Sequence, residues 1–345
     1  MATCSAMQQG GFAPEQRLTG FKFRQFLAIA RLTALDLVRQ PVCLMLTASC
    51  VVLMALAAVQ AFQFGEDGKF ARDSCLAIQF VFGLLAGAYG ACTTLSNEIR
   101  NGTATVMLSK PVSRALFIAA KFAGLAGFIL LFSACAIPAC LLSENASPRL
   151  YFSTTAPLAL LWCAVPAALA LAGLANYRLR RQFASTAFWI LLLILVAGAV
   201  LVSAFHDPAS GNRYANGNVY HVGTSMQWRI VPAGLLITMA LVTLSGVALA
   251  LATRLSAVHV IALSAGLLFV GLLSEYLAAR IGFGPLAALC RAVIPDWQNF
   301  WMTDALNHGG TIPWRYTAIA GVYALCYFVA ALAGGILLFR RREMR

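Results

Sequence analysis

Charge is scarce in this chain of 345 residues: Asp, Glu, Lys and Arg make up 11% of it, against about 25% in soluble domains. That excludes an ordinary water-soluble fold. The ten cysteines contain no CxxC pair and there are only four histidines, so no standard metal or dithiol pattern is present. Most of the cysteines (Cys43, Cys50, Cys92, Cys135, Cys140, Cys163, Cys326) fall within apolar runs, where a free thiol serves as a small hydrophobe. Cys75 and Cys290 lie near the outer face, where a disulfide between them is open but has no support in the pattern. The chain has no GxxxxGK[ST] phosphate loop, since Gly68-Lys69 lacks the earlier spacing and a preceding strand. No Asp, Glu, Lys or Arg lies near the middle of a long apolar run, and Glu275 and Lys121 sit towards the ends of theirs. Pumps driven by protons or sodium need ionisable groups within the membrane. They also favour paired broken helices in matching halves, and none is seen here. A membrane-embedded lipid-modifying enzyme would need His, Asp, Glu or Ser gathered at one depth, and no such constellation stands out. Residues 1–20 lack the basic start, short apolar core and small-residue cleavage site of a secretory signal. They read as a mobile cytoplasmic tail.

What is abundant is apolar surface. Hydrophobic residues are 61% of the chain and the mean hydropathy is +0.80. Eight runs are long enough to cross a bilayer: 42–62, 74–95, 116–142, 157–175, 183–205, 231–252, 257–276 and 315–339. The run 157–175 carries Pro157 and Pro166. The expectation is an all-α polytopic membrane protein with about eight transmembrane helices. If the N-terminus is inside, the inner segments hold 17 of the 25 Lys and Arg and the outer segments 8. Both termini are therefore expected in the cytoplasm. The net charge of +13 is then explained by topology signals and anionic lipid. The basic residues are scattered among loops rather than gathered on one face, which argues against nucleic acid. Residues 21–40 form an amphipathic pattern, with Phe23, Phe26, Leu27, Ala30, Ala34, Leu37 and Val38 on one side and Arg24, Arg31 and Arg39 towards the other. This suits a helix lying in the interface before Pro41.

Between the second and third runs lies a charged segment, 96–115. Glu98 to Leu108 is a short helix's worth of residues. Pro111 lacks an N–H and biases Lys110 away from helix. Ser113 can then cap the next helix. The result is a short helix held at the membrane surface, with a shape suited to docking on another protein. Glu98-x-x-x-Gly102-Thr103, then Ser109-x-Pro111-Val112-Ser113-Arg114 and Lys121, resembles the signature of ABC type-2 exporter permeases. Ala252-Thr253-Arg254-Leu255-Ser256, Ile294-Pro295-Asp296-Trp297-Gln298-Asn299-Phe300, Asp304-Ala305-Leu306, Ile312-Pro313-Trp314 and the terminal Phe339-Arg340-Arg341-Arg342-Glu343 are similar to a subgroup near the gliding-motility and copper-site-assembly permeases. The resemblance covers 21–143 and 231–345 and implies a single permease domain over 21–345. Family members usually have six spans, so 157–205 reads as an inserted helical pair.

The resemblance also implies function. The chain would be the transmembrane half of an ATP-driven exporter in the cytoplasmic membrane of a prokaryote, with no catalysis and no cofactor of its own. Two permease chains, identical or related, would pair with two ABC ATPase subunits, and ATP and Mg would be bound by those subunits. Glu98, Arg100, Gly102, Thr103, Ser109, Pro111, Ser113 and Arg114 would form the coupling segment. Glu98 and Arg100 offer charge-assisted contacts, Gly102 allows close approach, Thr103 can cap, and Arg114 can hold the ATPase or a lipid phosphate. A non-transporting membrane scaffold for an ATPase remains the alternative. The substrate is not legible, although the lack of intramembrane charge favours an apolar or amphipathic cargo, or a mechanical role.

Four further features stand out. Gly83, Gly87 and Ala91 repeat every four residues, which lets helices approach closely. That stripe is either a subunit interface or an internal contact, and Ala330 with Gly334 forms a weaker version. Gln60 and Gln79 read as interhelical hydrogen bonds. In the segment 277–314, Pro295, Trp297, Phe300, Trp301 and Trp314 suggest short helices lying in or re-entering the outer leaflet. This is an outer gate on the family reading and an aromatic belt otherwise. The segment 206–230 reads as a plain polar loop, without metal spacing.

Overall fold

The structure is a computed structural model. It describes residues 14–64, 69–96, 113–146, 156–204, 212–215, 218–221, 227–274, 276, 280, 295–307 and 310–340. Ten α-helices are named here in chain order: α1 (Pro14–Val38), α2 (Pro41–Phe64), α3 (Lys69–Ala91), α4 (Arg114–Ala146), α5 (Ala156–Leu179), α6 (Phe183–Ala204), α7 (Ile230–Ala252), α8 (Ala257–Leu272), α9 (Thr303–Asn307) and α10 (Trp314–Arg340). A π-helical turn, Cys92–Ser96, extends α3, and a 3-10 turn, Trp297–Phe300, precedes α9.

Among the described residues, seven helices are long and apolar enough to cross a membrane: α2, α3 with its π turn, α4, α5, α6, α7 and α10. The chain is thus a multi-pass helical membrane protein. The eighth expected span, 257–276, is described as α8, which has 16 residues. At 1.5 Å per residue it is about 24 Å long, short of the about 30 Å of hydrocarbon. Pro166 is carried within α5 and Pro138 within α4, as membrane helices allow when neighbours re-satisfy the freed carbonyls. The segment 206–230 is not wholly a plain loop. Strands β1 (Asn212–Ala215) and β2 (Asn218–His221) pair antiparallel, Asn212 opposite His221 and Ala215 opposite Asn218. The intervening sequence, Asn216-Gly217, is the pair that two-residue hairpins favour.

α1 begins at Pro14, inside the stretch read as a tail; proline suits the first turn because its missing N–H has no partner to lose. Its buried face is Ala30, Thr33, Leu37 and Val38, while Phe23 and Leu27 are exposed. It packs along α4, where the backbone approach is close: a Cβ on Gly124 would press on the Ala30 carbonyl and the Thr33 side chain. At the centre, α7 is the most enclosed span and α10 the least, with 72% and 17% of their apolar windows buried. Ile319, Val322, Leu325, Val329 and Leu337 of α10 face outward. Phe122 of α4 and Phe328 of α10 meet edge to face at 5.7 Å, which ties the peripheral helix to the core.

The two ends of the bundle differ. Arg254 Nη2 donates to Leu338 O at 3.0 Å, Phe117 and Phe339 lie 6.4 Å apart, and the Cys92 thiol points to Ala257 O at 4.0 Å. This basic end therefore gathers the close of α3, the start of α4, the α7–α8 turn and the close of α10. The far end gathers Arg72 of α3, Glu144 of α4 and the Leu306 carbonyl.

Candidate functional site

Ser113 caps α4 as expected: the Leu116 N–H donates to Ser113 Oγ at 3.2 Å, satisfying one of the first-turn donors. Arg114 follows as the first helical residue, and both are exposed at the basic end. Glu98, Arg100, Gly102, Thr103, Ser109 and Pro111 lie outside the described residues. The flanks of that segment are nevertheless set. α3 leaves through the π turn, where Thr93 Oγ1 donates to Tyr89 O at 3.1 Å, and α4 starts at its serine cap. Behind it, Lys121 is buried, with Nζ 5.5 Å from the centroid of the Phe117 ring.

The small-residue stripe is an internal contact. A Cβ on Gly83 would overlap the Leu241 side chain, and one on Gly87 would lie 3.0 Å from Ser245 Cβ, both in α7. Ala91 is fully buried below them. Gln79, one turn before Gly83, donates through Nε2 to Gly234 O at 3.2 Å and to Thr238 Oγ1 at 3.4 Å, so its interhelical role is as expected. The weaker stripe is different. Ala330 is exposed, and a Cβ on Gly334 would meet nothing within 4 Å.

The aromatic segment is seated inside the bundle. Trp297 and Phe300 are buried, with Nε1 of Trp297 donating to Leu267 O at 3.3 Å. The indole occupies the space that a side chain on Gly271 would need, against the Pro295 carbonyl. Asp296 organises the 3-10 turn. Its Oδ1 accepts from the Gln298 N–H at 3.0 Å, and its own N–H donates to the Tyr323 hydroxyl, also at 3.0 Å. Gln298 Nε2 donates to Leu272 O at 3.1 Å, and the Tyr316 hydroxyl donates to Asn299 O at 2.8 Å. Trp301 is half exposed and meets Phe80 edge to face at 6.3 Å. Phe80 lies eleven residues into α3 and Tyr323 nine into α10, so this turn sits about 14–16 Å in from the helix starts. By contrast, Leu306 meets Arg72, three residues into α3. The segment 295–307 therefore re-enters the bundle and climbs back to its rim.

Sequence reasoning missed the far-end polar cluster. It placed Arg72 and Glu144 in outer loops, but α3 starts at Lys69 and α4 runs on to Ala146. Arg72 Nη1 lies 3.5 Å from Glu144 Oε1 and 3.4 Å from the Leu306 carbonyl, and Asp73 Oδ1 lies 3.9 Å from Arg72 Nε. Arg229 adds a second positive charge near the same carboxylate. Beneath the pair, the Cys75 thiol donates to Ser143 Oγ at 3.2 Å, and Ser143 donates to Met54 O at 2.8 Å. Cys75 is thus a free buried thiol rather than half of a disulfide; Cys290 lies outside the described residues. The signal that could have found the cluster is Arg72 just before one apolar run and Glu144 just after another. Among the described residues no group of His, Cys, Asp and Glu could hold a metal ion.

No family model matches this chain, and no curated protein matches it.

Proposed function

We propose that this protein is the membrane-embedded permease subunit of an ATP-driven exporter, energised by a separate ABC ATPase that docks on the 96–115 segment. The observation that carries the reading is the position of that segment's two flanks. Ser96 and the capped Ser113 both belong to the basic end of the bundle, where α4, α7, α8 and α10 converge. A docked partner there would push directly on four helix ends. The re-entrant segment 295–307 at the opposite end fits a part that opens or closes an exit. On this reading two such chains, or this chain and a related one, work with two ATPase subunits that hold ATP and Mg. The membrane is the cytoplasmic membrane of a prokaryote, with both termini inside.

The test is co-purification with an ABC ATPase, which this reading expects to be encoded in a neighbouring reading frame. The wild type is expected to retain the ATPase, and Glu98→Ala/Gly102→Trp/Arg114→Ala to lose it while still inserting as a monodisperse protein. Retention by both, or by neither, would overturn the docking assignment. Retention without any substrate-stimulated ATP hydrolysis would favour a scaffold instead.

A further inference from the structure

An unusual turn joins α5 to α6. Arg180 adopts φ 52°, the left-handed region that L-residues other than Gly and Asn rarely enter. Its N–H donates to Asn176 O at 3.0 Å, and Asn176 Nδ2 donates to the Arg181 carbonyl at 2.6 Å. The two bonds fix the turn, so Arg181 stands at the threshold of α6. Facing it is Arg39, just past the end of α1. Between them lies an open cleft of about 660 Å³. Its polar wall includes Arg39, Arg181, Gln182 and Ser185, and its apolar wall includes Trp189 and Leu193, one and two turns deeper along α6.

The charge is unbalanced. Arg39 has Asp36 at 3.7 Å, but both side chains are about half exposed (46% and 51%), where such a pair contributes little. Arg181 has no ion pair among the described residues. The Thr186 hydroxyl is engaged, donating to Gln182 O at 2.8 Å, whereas Ser185 has no hydrogen bond among the described residues. The N-terminus of the 22-residue α6 adds its own positive end. Two guanidiniums and a hydroxyl therefore sit above an exposed apolar strip in which Trp189 is 42% and Leu193 68% exposed.

We propose that this cleft binds an anionic phospholipid, its phosphate held between Arg39 and Arg181 with Ser185, and an acyl chain lying along Trp189 and Leu193. A free phosphate would use only half of the cleft. A lipid uses both halves, and basic clefts between membrane helices are a recurrent setting for anionic headgroups. The assignment does not depend on the export reading.

Native mass spectrometry of the delipidated chain, mixed with phosphatidylglycerol or phosphatidylcholine in micelles, tests it. The wild type is expected to retain phosphatidylglycerol about tenfold more than phosphatidylcholine. Arg39→Gln/Arg181→Gln should erase that preference, and Ser185→Trp should erase it without changing charge. Arg178→Gln removes one charge from an exposed neighbour outside the cleft and should leave the preference intact. All these positions are at least partly exposed, so folding can be confirmed by helicity and monodispersity. Equal retention of the two lipids, loss with Arg178→Gln as great as with the double variant, or retention by Ser185→Trp would overturn the proposal. Full displacement by millimolar inorganic phosphate would reassign the cleft to a soluble anion.

Discussion

Arg72 Nη1 and Glu144 Oε1 face each other 3.5 Å apart at the far end of α3 and α4, with side chains only 4% and 6% exposed. Removing one partner of such a pair strands a buried charge. Arg72→Met or Glu144→Leu alone is expected to lower stability by about 3–5 kcal/mol. Arg72→Met/Glu144→Leu should recover most of that loss, because an apolar pair of similar volume replaces both charges. Denaturation of the four proteins in mixed SDS micelles, read as a double-mutant cycle, checks this. Equal destabilisation in the double variant would show that the Leu306 carbonyl, 3.4 Å from Arg72, matters more than the carboxylate.

The α3 stripe predicts a rescue. Gly83→Leu must displace Leu241, and overpacking of this kind costs about 1–3 kcal/mol. Adding Leu241→Gly returns the volume to the same place and should restore most of the stability. The oligomeric state should be the same in all the variants, since the stripe is already occupied by α7. A change of oligomeric state with Gly83→Leu, unaffected by Leu241→Gly, would contradict the internal contact.

The seat of the re-entrant segment predicts a local loosening. Gly271→Ala forces the Trp297 indole outward and breaks its hydrogen bond to Leu267 O. Hydrogen–deuterium exchange of the 296–301 amides should quicken at least about tenfold, equivalent to losing about 1.4 kcal/mol of local stability. The amides of α2 should be unchanged. Uniform acceleration through the whole bundle would mean that Gly271 supports the fold at large.

Much of the fold was legible because apolar runs of this length have few alternatives to spanning helices. The turn at Thr253–Ser256, the cap at Ser113 and the interhelical Gln79 each follow from local chemistry visible in a few adjacent residues. The boundaries at 69–73 and 143–146 were not legible. Arg72 and Glu144 each look like loop residues alone, and each becomes tolerable inside a helix only because the other supplies the opposite charge from a distant part of the sequence. The small stripes failed for a related reason. Spacing shows that Gly83 and Gly87 permit close approach, but not which helix approaches; that was decided by Leu241 and Ser245. The stronger stripe turned inward, and the weaker one, at Ala330 and Gly334, faces out. The aromatic segment could be read as re-entering, yet the glycine that receives Trp297 carries no mark in the sequence.

α8 links the basic end of the bundle to the innermost turn of the re-entrant segment. Its first residue lies against Cys92, beside the flank of the 97–112 segment, and its last turns are bonded to Trp297 and Gln298. A rigid rod about 24 Å long that tilts by about 10° at one end carries its other end about 4 Å. If a partner docks at the basic end as proposed, the shortest helix in the apolar set would serve as a connecting rod, and a modest push at its base would shift the Trp297 turn by roughly the width of a methylene chain.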